Sequence, residues 1–255
     1  MTVLLEARRL EKKFGSIAAL QDVSLALRRR EILAIVGESG SGKTTLLNVL
    51  AGRRSADAGE VFYDPGDGLA PLSALGEAKL RKLQRARWGF IQQDPRTALR
   101  LDVSAGGNIG ERMMAGGARH YGKIREMAAQ WLEAVEIDPA RLDDLPKTFS
   151  GGMLQRLQIA ATLVTEPEMV FMDEPTGGLD VSVQARILDL IRSLVRRLGV
   201  AVVIVTHDIG VARLLADRLI VMRHGRIVES GLTDQVLDDP HHEYTQLLVS
   251  SVLPA

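Results

Sequence analysis

The sequence contains no cysteine. Disulfides, thiolate catalysis and iron–sulfur ligation by this chain are therefore excluded. It also lacks net charge, because 32 Lys and Arg residues balance 32 Asp and Glu residues. There is then no bulk attraction toward nucleic acid or an anionic membrane, and no partner of either kind is expected. Long apolar runs are missing as well. The longest, "GVAVVIV" at Gly199–Val205, is far too short to span a bilayer. The first 30 residues carry charges every few positions and lack the apolar core of a signal peptide. These absences predict a cytoplasmic protein that reaches any membrane process only through partners.

What is present suits a globular domain of 255 residues, 46% apolar and 25% charged, large enough to hold an inserted subdomain. The alternating segments "VLLEARRL" from Val3 and "DVSLAL" from Asp22 predict antiparallel strands. "EILAIV" at Glu31–Val36, "EMVFMD" at Glu168–Asp173, "VAVVIVT" from Val200 and "RLIVMR" from Arg218 are short and apolar, as buried strands are. Helical patterns alternate with them, which predicts an α/β fold with a mostly parallel sheet. "LRKLQRAR" at Leu80–Arg87 is strongly cationic and predicts a solvated helix face. The middle of the chain changes character. "IREMAAQWLEAVEI" places Ile124, Met127, Ala128, Trp131, Leu132 and Val135 on one helical face, and "SGGMLQRLQIAATLV" predicts a helix capped by Ser150. We therefore expect one domain over 1–255, with a nucleotide-binding core of 1–95 and 166–255 and a helical subdomain of 96–165. Asp180 is available to cap the helix that starts at Val181.

Residues Gly37, Glu38, Ser39, Gly40, Ser41, Gly42, Lys43 and Thr44 fit the pattern G-x-x-x-x-G-K-[ST] between a predicted strand and a predicted helix. Glycines let backbone N–H groups, from Gly37 to Thr45, turn inward around phosphates. The helix N-terminus adds partial positive charge. Lys43 is placed to reach the β and γ phosphates of ATP, and Thr44 to offer its hydroxyl to Mg²⁺. Asp173 and Glu174 close an apolar strand, where acids face the ligand crevice of a parallel sheet. Asp173 is a candidate Mg²⁺ ligand through water, and Glu174 a candidate to orient or deprotonate the attacking water. Gln93 in "QQDP" is a further Mg²⁺ or water ligand, and His207 in "THD" a candidate to fix the water or the transition-state charge. Ser150, Gly151 and Gly152 open a helix with free N–H groups, a hydroxyl and little bulk, which is a second anion cradle. His241 and His242 are adjacent and cannot easily share one metal ion, so a solvated tail is expected there.

These motifs, in this order, resemble the ATPase domain of ATP-binding cassette proteins, from about Leu4 to Gly231. The resemblance implies a P-loop, RecA-like core with an antiparallel β subdomain and an inserted helical subdomain. It implies ATP hydrolysis and a head-to-tail homodimer with ATP sandwiched between subunits. Ser150 and Gly152 would then touch the γ phosphate held by the other copy's Lys43, with Asp180 communicating across the dimer. Phe14 stands where the family usually stacks an aromatic ring on adenine; the alternative is an ordinary buried Phe. Two departures stand out. Phe149 and Met153 replace the ends of the usual Leu-Ser-Gly-Gly-Gln signature, and Gly177-Gly178 make the loop before Asp180 more permissive.

Within the family, "GESGSGKTTLL", "DEPTGGLDVSVQARILDLI" and "DDPHHEYTQLLVSSVLP" resemble the ATPases of oligopeptide importers. That group normally continues into a C-terminal extension with a cysteine cluster, whereas this sequence ends at Ala255. The segment "VSAGGNIGERMMAGGARHYGKIR", with "DDLPKTFSGGM", is instead similar to the cassette subunits of the bacterial carbon–phosphorus lyase system, which breaks down phosphonates. That resemblance implies docking on a soluble lyase core, through its radical-SAM J subunit, by Ser104–Gly122. Met113 and Met114 suit an adaptable face, and Arg112, Arg119 and Tyr121 are the residues to substitute in testing it. The alternative is that the glycines form a loop and the two methionines fill the subdomain core.

Overall fold

The computed structural model describes residues 2–251. In chain order the strands are β1 (Val3–Phe14), β2 (Ile17–Arg28), β3 (Ile32–Val36), β4 (Ala58–Tyr63), β5 (Ala70–Pro71), β6 (Trp88–Ile91), β7 (Met169–Asp173), β8 (Ala201–Val205), β9 (Arg218–Arg223) and β10 (Arg226–Leu232). The helices are α1 (Lys43–Leu50), α2 (Gly76–Ala86), α3 (Pro95–Ala98), α4 (Ala105–Ala115), α5 (Tyr121–Ala134), α6 (Gly151–Leu163), α7 (Val181–Leu198), α8 (Ile209–Leu215), α9 (Thr233–Asp238) and α10 (Glu243–Ser250). They form two compact units, residues 1–80 with 201–255, and residues 81–200. The expected helical segment 96–165 lies inside the second unit, together with β6, β7 and α7.

The first unit has two sheets. One is antiparallel in the order β2-β1-β4-β5. The β1–β2 pairing is interrupted by register shifts, and Arg9 and Asp22 beside them have φ of +48° and +53°. Extra residues of this kind sharpen the twist of a long ribbon. The other sheet runs β10-β9-β3-β8, with β3 parallel to both β8 and β9. Every residue of β3 and β8 is buried. A continuous apolar run is what a strand covered on both faces requires.

The second unit sets the parallel pair β6–β7 against helices. Trp88 and Phe171 meet edge to face, 5.7 Å apart, and Phe90 stacks with Phe171 at 6.4 Å. The helix α7 buries Ile187, Leu190, Ile191 and Leu194 at helical spacing and stops at Gly199, whose φ is +65°. Arg196 and Arg197 in its last turn complement the helix dipole. The fold is thus mixed α/β, with parallel pairing at β3 and β6 and a separate antiparallel sheet. The cationic α2 buries no residue, as its charge predicts.

Much of the glycine-rich middle is helical. Gly106 and Gly110 lie within α4, where a Cβ would come within 2.6 Å of Leu142 and 2.8 Å of Ile124. They allow α4 to lie close against its neighbours, so the loop alternative is corrected for them, whereas Gly116 and Gly117 do form the turn that ends α4. Ser104 caps α4 through the Gly107 N–H (3.1 Å). Buried Asn108 ties down the preceding segment, accepting from the Arg100 N–H (2.8 Å) and donating to the Val103 carbonyl (2.9 Å). Ile124, Ala128, Trp131, Leu132 and Val135 are buried as the periodicity predicts, whereas Met127 is exposed.

Candidate functional site

In the first unit the loop between β3 and α1 carries the phosphate-binding pattern. Gly42 has φ +103°, and a Cβ there would sit 2.3 Å from the Ala19 carbonyl oxygen, so only glycine fits. Gly37 meets the same limit against the Met222 carbonyl, at 2.2 Å. The Lys43 ammonium folds over its own loop, donating to the carbonyls of Gly37 (2.6 Å) and Glu38 (2.8 Å). The Ser41 hydroxyl is buried and has no hydrogen-bond partner among the described residues. A bound phosphate would supply what that hydroxyl lacks. Ser39, Gly40 and Thr44 are exposed, and Thr45 is half-buried.

His207 follows the C-terminal end of β8, which pairs in parallel with β3 so that Ile35 lies opposite Val205. The Thr206 N–H donates to the Ile35 carbonyl (3.1 Å), and Asp208 caps α8 through the Gly210 N–H (2.8 Å). His207 itself is exposed between these two fixed points. Phe14 is 41% exposed at the end of β1, with the Arg54 guanidinium 5.0 Å from its ring centre. The buried-Phe alternative is therefore excluded, and a flat apolar face flanked by cations is available.

Tyr244, which sequence reasoning missed, is fully packed under this loop. Its hydroxyl accepts from the Glu38 N–H (3.0 Å), and the Arg223 guanidinium sits 4.7 Å over its ring. The Glu38 peptide thus links Tyr244 on one side to the Lys43 ammonium on the other. Glu229 anchors the start of α10 by accepting from the N–H groups of His241 (2.8 Å) and His242 (3.1 Å). Burial opposes its ionisation, but these N–H groups and the nearby His241 hold its carboxyl below the usual range. His242 in turn caps α10, accepting from the Tyr244 N–H (3.0 Å). The Tyr244→Phe variant is expected to weaken ATP binding about fivefold, the equivalent of about 1 kcal/mol for one hydrogen bond, with little change in melting temperature. Titration calorimetry checks this.

In the second unit Gln93 follows β6, and Asp173 ends β7 with Glu174 just after it; the two strands pair in parallel with Ile91 opposite Met172. Glu174 has φ +44°, an unusual conformation for a residue with a side chain. It opens a turn in which its carbonyl accepts from the Gly177 N–H (2.9 Å). A Cβ on Gly177 would lie 3.4 Å from the Gln93 side-chain nitrogen, so Gln93 rests against this turn. Ser150 caps α6 by accepting from the Met153 N–H (3.3 Å). Gly151 lies against Leu179, and a Cβ on Gly152 would meet Val183 at 2.8 Å. The signature turn therefore sits beside Asp180, at the start of α7. Asp180 takes the N-cap position as expected, but its side chain accepts no capping bond there and is exposed. Buried Gln158 of α6 lies against the Gln92 backbone, and with its amide turned to match donor and acceptor it accepts from that N–H (2.6 Å) and donates to that carbonyl (3.2 Å).

The segment Ser104–Gly122 divides in two. The Arg112 guanidinium turns inward to donate to the Trp88 carbonyl (3.0 Å), and burial lowers its pKa. Arg119 donates to the carbonyls of Met114 (2.7 Å) and Ala118 (2.9 Å), closing the end of α4. His120 caps α5 through the Lys123 N–H (3.2 Å). Arg112 is thus corrected from a contact residue to a structural one, and Arg119 is engaged in capping. Tyr121, 73% exposed, and Met114, 46% exposed, are the large side chains this corner presents at the surface.

Thr44 in the first unit, and Gln93 and Asp173 in the second, each carry a hard oxygen, the donor type that suits Mg²⁺. Among the described residues no cluster of three or more His, Asp or Glu could hold a metal by itself. No helix among the described residues is long and apolar enough to cross a membrane.

A glycine loop with a folded-over lysine, an acid pair ending a parallel strand and a Ser-Gly-Gly helix start define a phosphate-loop ATPase of the cassette type. The ABC transporter family model matches residues 20–177, more than half of the sequence, and the chain belongs to that family. The chain is 62% identical over 98% of its own length, and 98% of the relative's, to the phosphonates utilization ATP-binding protein PhnK of Escherichia coli (strain K12). It is 36% identical to the oligopeptide transport ATP-binding protein OppD of Bacillus subtilis (strain 168), over 99% of this chain and 72% of OppD. Among solved structures it resembles the ATP-binding cassette MJ0796, a dimer in a post-hydrolysis state with ADP and phosphate, with TM-score 0.80 and 30% identity over 90% of this chain and 99% of that one. The chain is accordingly an ATP-binding, ATP-hydrolysing cassette.

Proposed function

We propose that this cassette is the ATPase of a phosphonate-breakdown system, docking on the carbon–phosphorus lyase core rather than driving a membrane permease. The observation that carries this reading is the 62% identity over nearly the whole of both chains to a phosphonates utilization protein, against 36% to an oligopeptide transport protein. In this reading the protein works in the cytoplasm, and residues 96–165 form the helical subdomain that meets the partner.

The proposed reaction is ATP plus water to ADP plus phosphate. Backbone N–H groups from Gly37 to Thr45 hold the phosphates, and the Lys43 ammonium leaves its two carbonyl partners for the β and γ phosphates. Phe14 stacks on adenine. Thr44, Asp173 and Gln93 would hold Mg²⁺, which when bound neutralises charge on the transferring phosphoryl group. Glu174 accepts the proton of the attacking water, and His207 steadies that water or the phosphoryl oxygens. Two copies pair head to tail, so that Ser150, Gly151 and Gly152 of one reach the γ phosphate on the other, with Asp180 beside them.

Docking is proposed to use the corner between α4 and α5, on the radical-SAM J subunit of the core. An affinity-tagged chain, recovered from cells grown on a phosphonate as sole phosphorus source, is expected to bring down lyase subunits identified by mass spectrometry. Recovery of a membrane permease, or of no lyase subunit, would overturn the reading. The pair Met114→Glu and Tyr121→Ala is expected to cut that recovery tenfold or more, since buried anchors cost about 2 kcal/mol each, while ATP hydrolysis stays unchanged.

A further inference from the structure

We propose that Arg141 is the positioning residue of the signature turn, and that Phe149 and Met153 are held in their places by it. This rests on the reading that the Ser150 turn of one copy reaches the nucleotide of another.

Arg141 ends a short turn, Pro139–Arg141, that packs beside α5. Its guanidinium makes four contacts. Nε donates to the Asp144 carboxylate (2.7 Å), and Nη2 to the Thr148 hydroxyl (3.3 Å). Nη1 donates to the Met153 sulfur (3.4 Å), and the carbon centre of the cation stands 4.4 Å over the Phe149 ring. Thr148 is itself tied back to the Leu145 carbonyl (2.8 Å). One planar cation therefore grips the residues on both sides of Ser150-Gly151-Gly152.

The residues it grips are the two that depart from the Leu-Ser-Gly-Gly-Gln pattern. A leucine offers no aromatic face to a cation, and a glutamine no sulfur. Phe149 is buried while Ser150 and Gly151 are exposed. The grip thus lies behind the turn and leaves its hydroxyl and N–H groups facing outward. Asp144 balances the charge that Arg141 brings near the positive end of α6. Precise aim matters here, because misplacing a phosphate-binding donor by about 1 Å costs on the order of 10²-fold in rate. A lysine cannot replace the fork: it has one point charge where four partners are arranged around a plane.

The test uses the full chain carrying Glu174→Gln, so that ATP binding is read without turnover. Arg141→Ala is expected to leave the affinity of the single subunit for a fluorescent ATP analogue within about twofold, since Lys43 and its loop are untouched. ATP-dependent dimerisation, followed by light scattering, should require at least about tenfold more protein. In a chain also carrying Phe149→Leu and Met153→Leu, the same Arg141→Ala change should weaken dimerisation at most about threefold, because the ring and sulfur contacts are already gone and only those with Asp144 and Thr148 remain. Arg141→Lys, which keeps the ion pair with Asp144, should weaken dimerisation about threefold or more and carries the test if the alanine variant does not fold. Dimerisation at parental strength in Arg141→Ala, or an equal loss in both backgrounds, would overturn the proposal. Ser150→Arg separates this from its premise. If that variant also dimerises like its parent, the head-to-tail reading itself fails; if it is blocked while Arg141→Ala is not, only the role of Arg141 fails.

Discussion

The Glu174→Gln variant is expected to hydrolyse ATP about 10²–10⁴ times more slowly than the parent, the usual worth of a positioned general base. It is expected to bind ATP within about threefold of the parent and to persist as an ATP-loaded dimer. Glutamine keeps the size of the side chain and can still hydrogen-bond to a water, but it cannot accept the water's proton. The backbone at Glu174 points the same way. Glu174 follows the last residue of β7 with φ +44°, a conformation that costs on the order of 1–3 kcal/mol for a residue with a Cβ. The turn that imposes it, closed by the Gly177 N–H on the Glu174 carbonyl, fixes where the carboxylate starts from. Phosphate release measures the rate and size-exclusion chromatography with light scattering the dimer. Turnover at the parental rate would remove Glu174 from the role of base.

The parts of this site that depend on local backbone were legible in the sequence. A phosphate loop needs glycine where φ is positive and where a carbonyl comes within 2.2–2.3 Å of a would-be Cβ, as at Gly37 and Gly42, and those requirements are written into one eight-residue pattern. The acid pair after an apolar strand and the Ser150 cap are local in the same sense. What was not legible depends on distant partners. Tyr244 meets Glu38 across 206 positions, and nothing near either residue announces the other. Gln158 is by sequence one more polar residue of a helix, and its burial beside the Gln92 backbone depends on the fold. The glycines at 106 and 110 carry opposite meanings in a loop and in a close-packed helix, and only Leu142 and Ile124 decide between them. Arg112 is the sharpest case. An arginine in a cationic, glycine-rich stretch suggests a surface contact, yet its guanidinium lies inside, on the carbonyl of Trp88.

That inward turn bears on the second large effect. Trp88→Ala is expected to destabilise the protein by about 3–5 kcal/mol, the range for removing a buried aromatic side chain. The indole is 2% exposed and packs edge-on against Phe171, which also stacks with Phe90, so its loss leaves a void beside a rigid ring. Trp88→Phe, which keeps a ring for Phe171, should cost less than half as much. Urea unfolding followed by circular dichroism measures both. The damage should also be selective. Trp88 begins β6, the strand that delivers Gln92 to Gln158 and Gln93 to the Glu174 turn, all within residues 81–200. The phosphate loop belongs to the other compact unit and rests on β3, α1 and Tyr244. At temperatures where Trp88→Ala remains folded, its affinity for ATP should stay within about threefold of the parent while hydrolysis falls further. Equal loss of both would mean that the strand pair β6–β7 supports the loop as much as the acids, and that the division of labour inferred from the two units is wrong.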